Sequence, residues 1–386
     1  MAPSQRENRV AVSATNLLLT SMISAILCAG SAVCAEAQDA QPNTNESWTA
    51  TTQTSADNAS PSRTTESHVK SGNRTVDKQR MEVLGPDGRY QPDSDTEKET
   101  IEVNATTTRT VVRTYRWDAN GRRYLVQVMD EEARSSASGD TQVVRTTSNS
   151  DVNGNLQLVQ RAVADTRKTS PDAQETKTTV YLSDGNGGLT PSVRTQELEK
   201  RSADHSVEVK KTTLLPDGNG NWAVGEVKEN TIKEDGKNRT SEERVSRADL
   251  DGRLSEVSRT VGKETETAAG EKSNTVETYS VDVAGLTRDG SLHLNQRVAT
   301  VQKKDSASKT TEEQIEQPNP GNPSDGLQVS GRTKYTVRYA AAGTQQTKTI
   351  QTRDVNGTFN VISVQKEKSD QVPPAQVPNA PSHKPQ

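Results

Sequence analysis

Few residues of this sequence have the types and spacing that catalysis or metal binding requires. The four histidines, His68, His205, His293 and His383, share no short spacing with one another or with a cysteine, so no metal-binding motif is visible. No nucleophile elbow, phosphate-binding loop or dinucleotide fingerprint occurs in a strand-to-helix context. The sequence therefore predicts no enzyme, no cofactor and no metal centre.

An acidic tetrapeptide that begins with Asp and ends with Gly recurs along the chain. One chemical interpretation of it is calcium binding. Asp151-Val152-Asn153-Gly154 resembles the start of an acidic calcium loop, but the twelfth position holds Ala162 where a bidentate Glu is needed. The alternative is a type I turn that begins with Asp and ends with a left-handed glycine, which is a hairpin tip with a G1 bulge. We favour the turn.

Large aromatic side chains recur beside these tetrapeptides. If the Asp lies opposite the residue after the Gly, one face of each hairpin collects the apolar residues nearest the tip. Its aromatic members are Tyr115, Trp117, Tyr181, Trp222, Tyr279 and Phe359. An exposed row of this kind could hold a glycan or a protein partner, and the alternative is that it forms the thin core of a twisted sheet.

The elements that position these side chains repeat along the chain. The tetrapeptides begin at residues 85, 118, 151, 184, 217, 249, 282 and 354, mostly in steps of 33, and the last gap holds one diverged unit. β-Branched residues stand four before the Asp, for example Thr114, Thr147 and Val245. The charged stretches between tips, such as Lys233-Glu234-Asp235-Gly236, contain turn formers and predict a second reversal.

The predicted fold is all-β. About nine units over residues 81–368 each contribute two antiparallel strands of roughly 10–12 residues. We expect tandem β-hairpin repeats of about 33 residues that form an extended or curled meander sheet.

The composition limits the core and the partners. Leu, Ile, Val and Phe account for 64 of 386 residues, which is too few for a thick core. The net charge of −4 favours neither nucleic acid nor an anionic membrane. A porin-like barrel needs a lipid-facing apolar band and aromatic girdles, whereas 3% of residues are aromatic, so we expect no membrane-spanning part after removal of the leader.

The flanks predict export and disorder. Residues 1–37 have the layout of a signal peptide with cleavage after Ala35 or Ala37, and the alternative is a membrane anchor. Both cysteines, Cys28 and Cys34, lie in this segment, and Cys34 could carry a lipid if the chain were a lipoprotein. We predict that residues 38–80 are a disordered polar linker and that residues 369–386 are a disordered Pro-rich tail.

The tip pattern of Asp249–Leu254 and of Asp118–Arg122 resembles the YD repeats of bacterial Rhs-type shell proteins. The likeness covers about six residues per unit. The signature Tyr before the Asp is replaced, by Trp117 and Ala248 among others, so no toxin-enclosing function is carried over. The overall organisation also resembles exported bacterial β-hairpin repeat proteins, which implies no particular activity.

These observations favour a non-enzymatic exported protein of the bacterial envelope or extracellular space, with a structural or surface-interaction role. It would be periplasmic, on the cell surface or extracellular, with a glycan or an envelope protein as its partner and no nucleic acid. The alternative is a secreted carbohydrate-binding or hydrolytic protein that uses the aromatic residues named above.

Overall fold

The computed structural model describes residues 46–56, 59–118, 120–267, 270–281, 290–319, 321–322, 326–340, 343–354 and 356–369. These residues form twenty β-strands and contain no helix. The predicted signal peptide, the tail from residue 370 and His383 lie outside them.

No helix among the described residues is long and apolar enough to cross a membrane.

The strands are 9 to 15 residues long. Their bounds are β1 Glu46–Ala56, β2 Ala59–Ser71, β3 Arg74–Leu84, β4 Tyr90–Asn104, β5 Thr107–Trp117, β6 Arg123–Ser135, β7 Thr141–Ser150, β8 Leu156–Ser170, β9 Ala173–Ser183, β10 Leu189–Arg201, β11 Val207–Pro216, β12 Trp222–Asp235, β13 Asn238–Ala248, β14 Leu254–Glu266, β15 Lys272–Ser280, β16 His293–Lys304, β17 Ser308–Pro318, β18 Leu327–Ala340, β19 Gly343–Arg353 and β20 Phe359–Ser369.

All twenty strands belong to one antiparallel meander sheet, as the sequence predicts. Each strand pairs with the next one along the chain. The first strand also pairs with the last, through Thr52–Ala56 of β1 and Gln365–Ser369 of β20. This seam is shorter than the other pairings, and it gives both end strands a second partner.

The turns of a meander fall on two edges of the sheet. We call the edge formed by the turns after odd-numbered strands the Asp rim, since six of its described turns begin with Asp, at residues 118, 151, 184, 217, 249 and 354. The turns after even-numbered strands form the opposite edge, which we call the polar rim. Its described turns include residues 72–73, 105–106, 136–140, 171–172, 202–206 and 236–237.

The tips that begin at Asp118, Asp151, Asp249 and Asp354 have the predicted backbone geometry, whereas Gly185 and Gly218 give the tips at Asp184 and Asp217 a positive φ at the second position, which a type I turn does not have. In the first of them, the N–H of Asp118 donates to the carbonyl oxygen of Arg122 at 3.0 Å, and Gly121 has a φ of 74°. The carboxylate of Asp118 accepts from the backbone N–H groups of Asn120 and Arg122, both at 2.9 Å. The Asp therefore fixes the turn and the Gly provides its left-handed residue.

The sheet has no thick core, which agrees with the small number of aliphatic residues. None of the described side chains is fully buried, and only Asp95, Glu199 and Ser206 are buried among the polar residues described. Most side chains on both faces of the sheet are therefore at least partly accessible. Ladder hydrogen bonds and cross-strand side-chain pairs stabilise it in place of a core.

The prediction of a disordered linker over residues 38–80 needs correction, because the sheet begins at Glu46. β2 pairs with β3 from Ser62 to Ser71, and Arg63 donates to Glu82 at 2.6 Å. These strands are rich in Thr and Ser and have no apolar alternation, so the sequence pattern gave no signal. Pairing with neighbours on both sides, rather than burial, is what orders them.

Candidate functional site

Cross-strand pairing places the six predicted aromatic residues on one face, which we call the aromatic face. Tyr115 pairs with Leu125, and Trp117 pairs with Arg123. Trp222 likewise pairs with Pro216, and Phe359 with Arg353. Because directly paired residues share a face of an antiparallel sheet, the tip-proximal rows follow the predicted register. The same face also carries Tyr90 opposite Leu84.

A second bulge recurs in the hairpins and was not foreseen from the sequence. Between the pairs Tyr115–Leu125 and Thr114–Gln127, the residue Val126 is left over. The residues at the same place in the other units are Asp93, Val159, Ser192, Gly225, Val257, Asn295, Ser330 and Ile362. Each bulge shifts which residues share a face on the rest of its strand.

The bulge has a sequence signal that a period of two conceals. Leu125 and Val128 lie on the same face although they are three residues apart, and so do Val361 and Val364. A step of three in an otherwise alternating strand indicates an inserted residue. In five units the position that corresponds to Val128, two residues after the bulge, is an arginine on the aromatic face. These residues are Arg161, Arg194, Arg259, Arg297 and Arg332.

Arginine side chains cover most of the aromatic rings. The guanidinium carbon of Arg194 lies 4.3 Å from the ring centre of Trp222, and that of Arg332 lies 4.2 Å from the ring centre of Phe359. The other such distances are 3.6 Å for Arg123 and Tyr115, 5.6 Å for Arg80 and Trp117, and 4.8 Å for Arg63 and Tyr90. These rings therefore have a cation on one side already.

The most buried charged group of this face is Asp95. Arg80 donates from Nε to Asp95 Oδ1 at 2.9 Å, and Arg123 Nε lies 2.9 Å from Asp95 Oδ2. The hydrogen bond to Asp95 raises the pKa of Arg80. Since the two arginines also contact Trp117 and Tyr115, one carboxylate holds both cations over their rings.

Tyr279 lies in a different environment. Its hydroxyl donates to Glu277 at 2.8 Å, and this bond, with a second from Arg297, lowers the pKa of Glu277. An open cleft of about 550 Å³ lies beside it, lined by Glu242, Arg259, Val261, Tyr279 and Leu292. This is a shallow, charged concavity that could accept a polar ligand. Tyr181 lies directly opposite Arg161.

The acidic tips use their carboxylates within the turn. Asp151 accepts from the N–H groups of Asn153 and Asn155 at 2.8 and 2.9 Å, and the bond from Asn155 contributes most to lowering its pKa. In the described part of the chain, no group of three or more His, Cys, Asp or Glu side chains could hold a metal ion. The carboxylates thus act as turn-forming groups.

The histidines within the described residues lie apart. His68 Nδ1 is 2.6 Å from Asp77 Oδ1 across β2 and β3, and His293 Nε2 is 3.0 Å from Ser291 Oγ. His205 occupies a turn of the polar rim with a φ of 62°. These positions bring no two of them together.

Neither a protein-family model nor a curated protein sequence matches the chain. Among solved structures, it is similar to the outer membrane protein OpdK from Pseudomonas aeruginosa, with a TM-score of 0.39 and 9% identity over 84% of this chain and 98% of that one. For a BenF-like porin from Pseudomonas fluorescens Pf-5, the TM-score is 0.38, with 10% identity over 84% and 98% of the two chains. For the ferric citrate transporter FecA, it is 0.39, with 7% identity over 85% and 78%.

These neighbours correct one expectation. We expected no membrane-spanning part after removal of the leader, on the ground that the chain is too polar and too poor in aromatic residues. The solved structures to which the chain is similar include an outer membrane protein and a porin, which contradicts that expectation. We therefore withdraw it.

Proposed function

We propose that the chain is a non-enzymatic exported repeat protein that serves as a structural or surface-interaction element of the bacterial envelope or extracellular space. The observation that carries this proposal is that the side chains of the aromatic face contact one another across neighbouring strands. Its arginines contact rings and carboxylates of neighbouring strands, as Arg80 and Arg123 do around Asp95. Such a face strengthens a sheet that has no thick core.

Export is tested by expressing the full chain in a Gram-negative host and sequencing the N-terminus of the product. We expect the mature protein to begin at Glu36 or Gln38 and to be recovered outside the cytoplasm, because small residues precede both positions. Recovery of an uncleaved cytoplasmic chain would contradict the proposal. A lipid on Cys34 would instead indicate a lipoprotein.

A second candidate function is carbohydrate binding by the aromatic face, with the cleft beside Tyr279 as its most concave part. In this case a sugar ring would have to stack on the uncovered side of a ring or displace an arginine. A glycan array tests it with the double variant Trp117→Ala, Trp222→Ala. Tyr124→Ala is the matched control, because Tyr124 is close to the same tip but pairs with Arg116 on the opposite face.

Binding that is lost in the double variant and kept in the control would favour the carbohydrate-binding function. Absence of glycan binding by the unaltered chain, or equal loss in both variants, would leave the structural role as the better account.

A further inference from the structure

The exposed apolar side chains are distributed unequally between the two rims. Fourteen large apolar side chains of the described residues are exposed, and eleven of them lie in or near the Asp tips. The eleven are Met81, Tyr124, Val152, Leu156, Leu158, Leu182, Leu215, Leu250, Leu254, Val361 and Ile362. The three near the polar rim are Val69, Val103 and Tyr339.

Two of these side chains occupy the outermost position of a turn. Val152 is 101% exposed and Leu250 is 107% exposed, each directly after the Asp that begins its tip. A type I turn accepts most residues at this position, so the backbone does not require an apolar one. Leu156 and Leu254, both 48% exposed, begin the strands that follow these two tips. Each tip thus presents a fully exposed aliphatic side chain with a second one behind it.

The spacing of the tips favours a flat and extended partner. Neighbouring Asp tips are separated by two strands, or about 10 Å along the rim. Because polar Asp and Gly residues stand between them, the apolar side chains form separate points and not a continuous groove. A protein partner would need a matching set of separate pockets, whereas a lipid surface accepts isolated aliphatic side chains wherever they enter.

The charge of the Asp rim further restricts which partner it could bind. The carboxylates of Asp151, Asp217 and Asp354 accept backbone hydrogen bonds, which lower their pKa values and keep them ionised. The tips also carry Arg89, Arg122 and Arg253, but their aspartates outnumber these arginines. Two copies of this rim would therefore repel each other, and an anionic surface would repel the rim. A zwitterionic lipid surface has no net charge to oppose the tips.

We propose that the Asp rim binds a zwitterionic lipid surface. Val152 and Leu250 enter the boundary between headgroups and acyl chains, and Tyr124, exposed close to its tip, lies at the level of the headgroups. The proposal adds a partner to the envelope role. Its test uses purified protein, so it stands or fails independently of export.

The experiment is co-flotation of the purified full chain with phosphatidylcholine vesicles. The test variant is Val152→Ser, Leu250→Ser, and the matched control is Val103→Ser, Tyr339→Ser on the polar rim, where the two side chains are 55% and 39% exposed. We expect the partition coefficient to fall about tenfold in the test variant and less than about twofold in the control, because only the former removes inserted apolar area. Adding phosphatidylglycerol should weaken binding by the unaltered chain.

Several results would overturn the proposal. These are no flotation of the unaltered chain, equal loss in the two variants, and binding that requires anionic lipid. A change of oligomeric state in the test variant without vesicles would show that the rim binds a second copy instead. Since all four substituted positions are exposed, circular dichroism should show unchanged strand content, and this check separates lost binding from lost folding.

Discussion

The two rims of the sheet close their turns with the same backbone hydrogen bond but with different residues. At the Asp rim, the N–H of Asp151 donates to the carbonyl oxygen of Asn155 at 2.8 Å. At the polar rim, the N–H of Ser136 donates to the carbonyl oxygen of Asp140 at the same distance. Serine at the polar rim thus closes a turn as well as aspartate at the Asp rim. Closing a hairpin therefore requires neither the recurring Asp of the Asp rim nor its exposed Val152 and Leu250.

The rims also differ in how regular they are. The Asp-rim turns at 151–155, 184–188, 217–221 and 249–253 have five residues each, whereas the polar rim mixes turns of two residues, such as 236–237, with turns of five, such as 202–206. The carboxylate that begins these turns therefore recurs along the Asp rim, whereas the residue after it varies between Val152, Gly185, Gly218 and Leu250.

Deleting whole or half periods should have the largest effect on this arrangement. Removal of 151–183 joins Ser150 to Asp184, keeps the direction of every later strand and leaves the later Asp tips on their rim. Removal of 151–167 takes out one strand, so the later Asp tips move to the polar rim and the last strand runs parallel to the first. We expect the first variant to melt close to the unaltered chain and the second to aggregate or melt roughly 10 °C lower or more.

Circular dichroism and limited proteolysis distinguish these outcomes. Equal tolerance of both deletions would show that the two-strand unit is not what the chain is built from.

Substitutions at the Asp tips should have the next largest effect. Gly154 and Gly220 have φ values of 81° and 88° with open space around them, so Gly154→Val or Gly220→Val forces a β-branched residue into the left-handed region. We expect each to lower the free energy of unfolding by about 1–3 kcal/mol. Asp151→Asn should cost much less, because its side-chain carbonyl still accepts the turn bonds. Urea unfolding measures all three, and equal losses would contradict the turn geometry.

Acid should weaken both rims alike. Hydrogen bonds lower the pKa values of Asp151, Asp217 and Asp354 on the Asp rim, and of Asp140, Asp204 and Asp305 on the polar rim. A folded-state pKa below the unfolded value stabilises the protein above the ordinary value of 3.8, and this stabilisation is lost as the pH falls below it.

Replacing either set of three by Asn should therefore flatten the fall of the melting temperature between about pH 5 and pH 2.5. A flatter profile for only one set would show that the turns of the two rims hold their carboxylates differently.

The smallest effect concerns His205 on the polar rim. It takes a φ of 62° where Gly139 and Gly270 stand in the equivalent turns, with values of 83° and 78°. His205→Gly should raise the free energy of unfolding by about 0.5–1 kcal/mol, because a side chain in this region is strained. Gly270→His is the reverse control and should lower it. A loss of stability in His205→Gly would indicate that the imidazole makes a stabilising contact.

The regular part of the molecule could be predicted from the sequence. The tips at residues 118–121 and 151–154 and the register beside them follow from turn chemistry, which is local.

The bulge at Val126 was missed, because its sign is a step of three between Leu125 and Val128 within an alternating strand. The strands β1 and β2 were missed because Thr and Ser pair without an apolar pattern. The pairing of β1 with β20 joins residues about 310 apart, and no local signal reports such a contact.

The expectation about the membrane was wrong for a related reason. It counted aromatic and aliphatic residues over the whole chain, and composition does not reveal how a sheet of this topology distributes them. Turns at both rims are exposed, but one presents the apolar Val152 and the other presents Ala203 and Asp204, and which edge each turn occupies is a property of the fold. It becomes visible only when the turns are assigned to their edges.

The separation of the two rims is most directly measured by distances between pairs of spin labels. In the chain with Cys28→Ser and Cys34→Ser, labels at Ala137 and Val152 lie on opposite rims, and labels at Val152 and Asn219 lie on the same rim four strands apart. We expect about 40 Å for the first pair and about 19 Å for the second, from the rise along a strand and the spacing between strands. A disordered chain gives the opposite order, about 21 Å for the 15-residue separation and about 44 Å for the 67-residue one, and that result would contradict the repeat fold.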